Sequence, residues 1–134
     1  MKVQPYLYFA GDCEEAFKFY AETLKVPIQI MVPYEAMPES TPEMAKKIKY
    51  GSLRVGEMLL MGMDAPPDRY SKPSGFSVSL HVETADEAER IYAAMSPGGN
   101  VVAPIAETFW AHRFAMFSDR FGIPWMVGCD KPMP

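Results

Sequence analysis

The chain contains two histidines, His81 and His112, and imidazole titrates close enough to neutrality to serve as acid, base or ligand. His81 closes a stretch in which Ser77 and Ser79 fall on its own alternation, opposite Phe76, Val78, Leu80 and Val82. A strand there presents two hydroxyls and an imidazole on one face. Two readings stand for His81: a solvated strand-end histidine, or a side chain that meets a bound ligand and works as acid or base. His112 carries the same pair of readings, structural or ligand-lining, beside Arg113 in a Trp110-x-x-Arg113 run. The Arg113 guanidinium matches a carboxylate or phosphate in bidentate fashion, and equally suits a structural ion pair with Glu107 or Asp119. Trp110 and Trp125 serve as core or dimer-contact residues or as walls of an apolar pocket. Met126 offers a soft, adaptable apolar surface.

Other reactive types read more plainly. Cys13 falls in the first turn of a helix, where the dipole lowers a thiol pKa, yet the spacing Cys13, Ala16/Phe17, Tyr20 puts it on the apolar stripe, as an inert core thiol. Cys13 and Cys129 are too few for a disulfide framework and lack zinc-finger spacing, so both are expected as free thiols. Glu57, Asp64 and Asp119 fall at turns or strand ends and read as solvated acids; a paired-carboxylate mechanism needs two such groups face to face. There is no Gly-rich phosphate loop, nucleophile elbow or Walker sequence. Taken singly, the residues give no complete catalytic constellation.

The elements that must position them come in two similar sets. Val3–Phe9 is β-like and ends at Gly11-Asp12; a helix is predicted from about residue 13 to 25, opened by a capping box at Asp12 and Glu15. Val26–Val32 reads as a strand. A Pro-rich loop follows from Pro33 to Pro42, with a helical turn around Glu43–Lys47, long enough to close as a lid or to pack on a rim. Ile48–Val55 and Met58–Met63 form a hairpin through Gly56-Glu57. This first module, residues 1–64, is followed by a breaker-rich connector, 65–74, and a second module, 75–134. There, Phe76–Val82 is a strand, Thr84 and Glu87 make a second capping box, a helical stripe runs through Ala88, Ile91/Tyr92 and Met95 to the stop at Pro97-Gly98-Gly99, and three strands follow at Val101–Ile105, Trp110–Phe117 and Ile123–Val127. A shift of 72 residues lays Glu15-Ala16 on Glu87-Ala88 and Tyr6/Tyr8 on Val78/Leu80. The shared order of elements, more than residue matches, indicates a tandem β-α-β-β-β duplication in an α+β fold. The apolar side of the second module's first strand is expected to pack on its helix as Tyr6 and Tyr8 do in the first.

Composition narrows the function classes. In 134 residues, 49% are apolar and 22% charged, ordinary for one globular domain. Thirteen Lys and Arg against 17 Asp and Glu give a net charge of −4, and without a basic face nucleic acid is not an expected partner. The longest apolar candidate, Met58–Met63, falls far short of a membrane span. The start MKVQPYLYFAG lacks a signal-peptide apolar region, so a cytoplasmic protein is expected. Eleven methionines and 13 prolines point to adaptable apolar packing and many loops.

Several runs carry a family resemblance: Pro5-Tyr6-Leu7, Gly11-Asp12-Cys13-Glu14-Glu15-Ala16 with Phe19-Tyr20, Glu107-Thr108-Phe109-Trp110-Ala111-His112-Arg113-Phe114, and Asp119-Arg120-Phe121-Gly122-Ile123-Pro124-Trp125. Together they resemble the PhnB-like branch of the vicinal oxygen chelate superfamily, which includes glyoxalase I, extradiol dioxygenases and bleomycin resistance proteins. The sequence departs from the branch where Ala111 and Ala115 replace its usual glycines and Tyr50 a frequent histidine. The resemblance implies two modules of curved mixed sheet, each forming a cup with an active site inside, and a homodimer. Metal-dependent members place a His or Glu on the first and last strand of each module. Alignment on the strand-to-helix spacing and the turn glycines puts these positions at Pro5, Ser77, Leu60 and Met126, none of which binds a divalent ion well. A slip of one residue brings in no His or carboxylate either. The usual metal site is therefore expected to be absent, and no cofactor is expected.

The expected function is a glyoxalase-fold protein that binds a small molecule in an apolar cup, with Ser77, Ser79, His81, Trp110, His112, Arg113 and Met126 as candidate contacts. Its acidic balance suits a cationic ligand, as in the bleomycin-binding relatives. The alternative is a lyase or isomerase of glyoxalase type, with a displaced metal or metal-free acid/base chemistry. The methyltransferase label borne by some members of the branch finds no methyl-donor motif here.

Overall fold

The computed structural model of the chain describes residues 1–132, which form two units, Met1–Lys72 and the chain from Pro73 onward. The first contains β1 (Tyr6–Phe9), α1 (Cys13–Leu24), β2 (Ile28–Pro33), β3 (Ile48–Val55) and β4 (Met58–Asp64). The second contains β5 (Val78–His81), α2 (Ala85–Met95), β6 (Asn100–Ala106), β7 (Ala111–Ser118) and β8 (Pro124–Asp130). Each is a β-α-β-β-β module. Their sheets have the same order, β1-β4-β3-β2 and β5-β8-β7-β6, with the first strand parallel to the last and the remaining pairs antiparallel. Among the described residues, no helix is long and apolar enough to cross a membrane.

Each sheet packs one face against one helix. In the first unit Leu7 and Phe9 are fully buried with Cys13, Ala16, Phe17 and Tyr20 of α1, and Phe9 meets Phe17 edge-on at 5.7 Å. A Cβ on Gly62 would fall 2.9 Å from the Phe17 ring, so glycine lets the helix settle onto β4. Tyr6 and Tyr8, 39% and 53% exposed, lie on the helix-free face, contrary to the expectation that they pack on α1. By this alternation their counterparts are Ser79 and His81, both exposed and a shift of 73 away. The fully buried Ala16 and Ala88 keep the shift of 72. The second unit has one residue fewer between first strand and helix, which is why a single offset misassigns the strand faces.

The two helix starts differ as well. Thr84 accepts from the Glu87 N–H at 3.1 Å, as its capping box requires. The Asp12 side chain makes no cap to α1. Asp64 does that work from the end of β4: its carboxylate, 1% exposed, accepts from the backbone N–H groups of Gly11 (3.0 Å), Cys13 (2.9 Å) and Ile48 (2.8 Å). Asp119 is equally buried and accepts from the Phe121 and Ile123 N–H groups and, at 2.8 Å, from Trp125 Nε1. The reading of Asp64 and Asp119 as solvated turn acids is thus corrected. Both stand where strands turn and several N–H donors converge, so a carboxylate is the acceptor that leaves none of these donors bare. The base of the 33–47 loop is closed by Tyr34 N–H to Lys47 O at 2.8 Å and by the Tyr34 hydroxyl to Asp64 O at 2.8 Å.

Removing the Asp64 carboxylate strands three backbone donors at once, those of Cys13 and Ile48 in buried bonds and that of Gly11 in a part-buried one. Asp64→Ala is expected to cost about 3–5 kcal/mol in urea unfolding; a loss under about 1 kcal/mol would show that the three bonds are dispensable.

Candidate functional site

A cleft of about 350 Å³ opens on the helix-free face of the second unit's sheet. Its floor comes from the first and last strands. Ser79 and His81 share a face of β5 by the two-residue period, and in the parallel register Ser79 stands opposite Met126 and His81 opposite Gly128. Two residues past Gly128, on the same face of β8, stands Asp130. Phe114 of β7, paired with Gly128, Trp110 and Lys131 complete the lining. The Phe114 ring packs beside Gly128, where a Cβ would stand at an ordinary contact distance of 3.5 Å from it.

The walls are aromatic. Trp110 meets Phe109 at 4.8 Å and Phe114 at 5.4 Å between ring centroids, both edge-on, and it is 44% exposed. The Lys131 N–H donates to Trp110 O at 2.8 Å, and its Nζ pairs with Glu107 Oε2 at 2.8 Å. That bond, then the charge of Lys131, and then more weakly the charges of Arg113 and His112, hold the Glu107 carboxyl below the usual carboxylate range. One end of the cleft is polar and connected: His81 Nδ1 lies 3.1 Å from Asp130 Oδ2, and His81 Nε2 lies 3.0 Å from Ser79 Oγ.

Four of the seven candidate contacts, Ser79, His81, Trp110 and Met126, come together here. Ser77 precedes β5 and is not in the lining. Arg113 pairs with Cys129 in register and turns toward α2, where its Nε donates to Glu89 at 2.9 Å; neither Glu107 nor Asp119 is its partner in that bond. His112 lies at a register irregularity between Ala111 and Arg113, is exposed, and is not in the lining. Phe114, Gly128, Asp130 and Lys131 were not anticipated. Trp125 is core, 1% exposed.

The first unit's corresponding face has different chemistry. Tyr6 stacks on Tyr50 at 6.3 Å and meets Tyr8 at 5.7 Å, beside Met61 and Met63 in register. Partial burial, then its tyrosine neighbours, raise the Tyr6 phenol. A polar cleft at the start of α1 is lined by Lys18, Lys47 and Glu14 among others, but Lys18 pairs with Glu14 and Lys47 donates to Gly11 O. Cys13 and Cys129 are buried free thiols, and burial followed by the Asp64 charge pushes the Cys13 thiol well up.

The metal implied by the resemblance finds no fitting donor set. Leu60 is buried on the helix side, Met126 offers a thioether, and the helix-free first-strand positions are Tyr6, Tyr8, Ser79 and His81. Among the described residues, no three His, Cys, Asp or Glu side chains group closely enough to hold an ion.

Comparison with known proteins gives a consistent family. A profile of the 3-demethylubiquinone-9 3-methyltransferase family matches residues 1–128. Protein YjdN of Escherichia coli is 30% identical over 145 residues, covering 100% of this chain and 99% of its own. The crystal structure of protein PA1353 from Pseudomonas aeruginosa is 41% identical, with 98% and 99% of the chains covered and a TM-score of 0.92. At the level of fold alone, a PhnB protein from Bacillus cereus (19% identity, 96% and 99% covered) superposes with a TM-score of 0.82. A glyoxalase-related enzyme from Fulvimarina pelagi (16% identity, 96% and 88% covered) does so at 0.59.

The Lys131–Glu107 pair makes a direct prediction. A carboxyl depressed in the folded state adds stability above its unfolded pKa and loses it as pH falls through the folded value. Lys131→Met is expected to move the Glu107 midpoint, followed by carboxyl NMR, upward toward that of an ordinary glutamate. An unchanged midpoint would mean that Lys131 is not the cause.

Proposed function

Because the chain belongs to the 3-demethylubiquinone-9 3-methyltransferase family, a PhnB-like group within the glyoxalase-fold vicinal oxygen chelate superfamily, we infer that it binds a small molecule on the helix-free face of its second sheet. The observation that carries this reading is the cleft itself: Trp110, Phe114 and Met126 form an apolar wall, and Ser79, His81 and Asp130 a polar end. Concave sites that are mostly apolar, with a few convergent polar groups, are the usual form of small-ligand sites. The apolar wall removes ligand surface from water; the polar end fixes orientation by hydrogen bonds.

The ligand is a compact molecule with an apolar body and a hydrogen-bonding terminus, and the acidic balance of the chain favours a neutral or cationic one. The methyl transfer in the family's description is not carried over, since the sequence has no methyl-donor motif. A homodimer remains part of the proposal through the resemblance, as does the absence of a nucleic-acid partner through charge.

Binding is read by tryptophan fluorescence and by thermal shift across a panel of small amphipathic molecules. A true ligand is expected to lose roughly tenfold in affinity, about 1.4 kcal/mol, on Trp110→Ala, with a smaller loss on Met126→Ala. A ligand indifferent to both substitutions would locate binding elsewhere and overturn this assignment.

A further inference from the structure

The polar end of the cleft has an order that simple ligand orientation does not require. Asp130 Oδ2, His81 Nδ1, His81 Nε2 and Ser79 Oγ form one chain, with contacts of 3.1 and 3.0 Å. The ionised carboxylate can only accept, so it selects the tautomer with the proton on Nδ1. Nε2 is then an acceptor facing the serine hydroxyl. This is the arrangement by which a histidine takes a serine proton while a carboxylate holds the ring, and such constellations are identified by geometry and roles rather than by chain order.

We propose that Ser79, His81 and Asp130 form a nucleophilic relay that gives the second unit acyl-transfer activity toward small esters, the acyl chain resting against Trp110, Phe114 and Met126. The proposal rests on the cleft's being a ligand site. Ser79 Oγ adds to the ester carbonyl carbon as its proton passes to His81 Nε2, and the carbonyl π pair moves onto oxygen. On collapse the C–O bond to the alcohol breaks and the departing alkoxide takes the proton from Nε2, leaving the acyl group on Ser79. Water from solvent then attacks that acyl carbon, His81 again taking and returning one proton, and frees the carboxylic acid and the serine. Lys131 belongs to the same lining, with its ammonium paired to Glu107 Oε2 at 2.8 Å. Asp130 acts through His81 and is a positioning residue.

The His81 and Asp130 side chains are 62% and 54% exposed. Electrostatic stabilisation weakens in high dielectric, so turnover is expected to be slow and a trapped serine to be the clearer signal. A fluorophosphonate probe is expected to add once, on Ser79 by peptide mapping, with no adduct there in Ser79→Ala and at least a tenfold slower reaction in His81→Gln. With p-nitrophenyl butyrate, Asp130→Asn is expected to lower kcat about tenfold and leave KM within twofold, a split that a merely structural role would not produce. In parallel, Trp110 quenching by N-propylbutyramide, an unreactive analogue, reports binding alone. If the amide binds and Ser79 stays unlabelled, or is labelled equally fast in His81→Gln, the relay is refuted and the binding site stands. If neither binding nor labelling occurs, both fall.

Discussion

Among the described residues each unit has four strands and one α-helix, and that ratio governs the rest of the structure. A sheet has two faces and successive side chains alternate between them. One helix covers one face, so every second residue of β1, β4, β5 and β8 is committed to the core and its neighbours are left on the other side. The core positions use their freedom on packing: Leu7 and Phe9 against α1 in one unit, Trp125 and Val127 fully buried in the other. Whatever chemistry the protein performs is confined to the remaining half of the alternation.

The two units meet this constraint with one topology and different side chains. At matching places on the helix-free faces, the first unit has Tyr6 and Tyr8, and the second Ser79 and His81. The last strands carry Met61 and Met63 beside the tyrosines, but Met126 and Gly128 beside the serine and histidine. Phenol rings packed together form a surface that tolerates many shapes. A short hydroxyl, an imidazole and a residue without a side chain leave a cavity with defined donors and acceptors. Duplication of the fold therefore did not duplicate the site.

Much of this was legible in the sequence. Strand and helix order followed from apolar periodicity, and β3 was bounded correctly by Ile48 and Val55 because a glycine turn ends it on one side. Ser79 and His81 shared a face because the period of two admits nothing else. What escaped notice required knowledge of partners distant in the chain. Asp64 and Asp119 are acids at turns, and only the convergence of several N–H groups on each shows why they are buried. Gly128 weakens a strand signal, so the sequence pattern ends the last strand at Val127, whereas β8 runs on to Asp130. His112 is a candidate through its place beside Arg113 in the Trp110-x-x-Arg113 run, whereas the strand is irregular there and the cleft is lined without it.

The aromatic wall and the last strand meet at the site. The Trp110 and Phe114 rings lie 5.4 Å apart between centroids, and Lys131 N–H donates to the carbonyl of Trp110 at 2.8 Å. Phe114 packs beside Gly128, its partner in the β7–β8 register. The imidazole opposite that glycine consequently has an aromatic wall on one side and Asp130 at its other nitrogen, so the apolar wall and the polar chain meet at His81. The first and last strands of one sheet face, with Trp110 and Phe114 beside them, thus give a cleft with an apolar wall and a polar end.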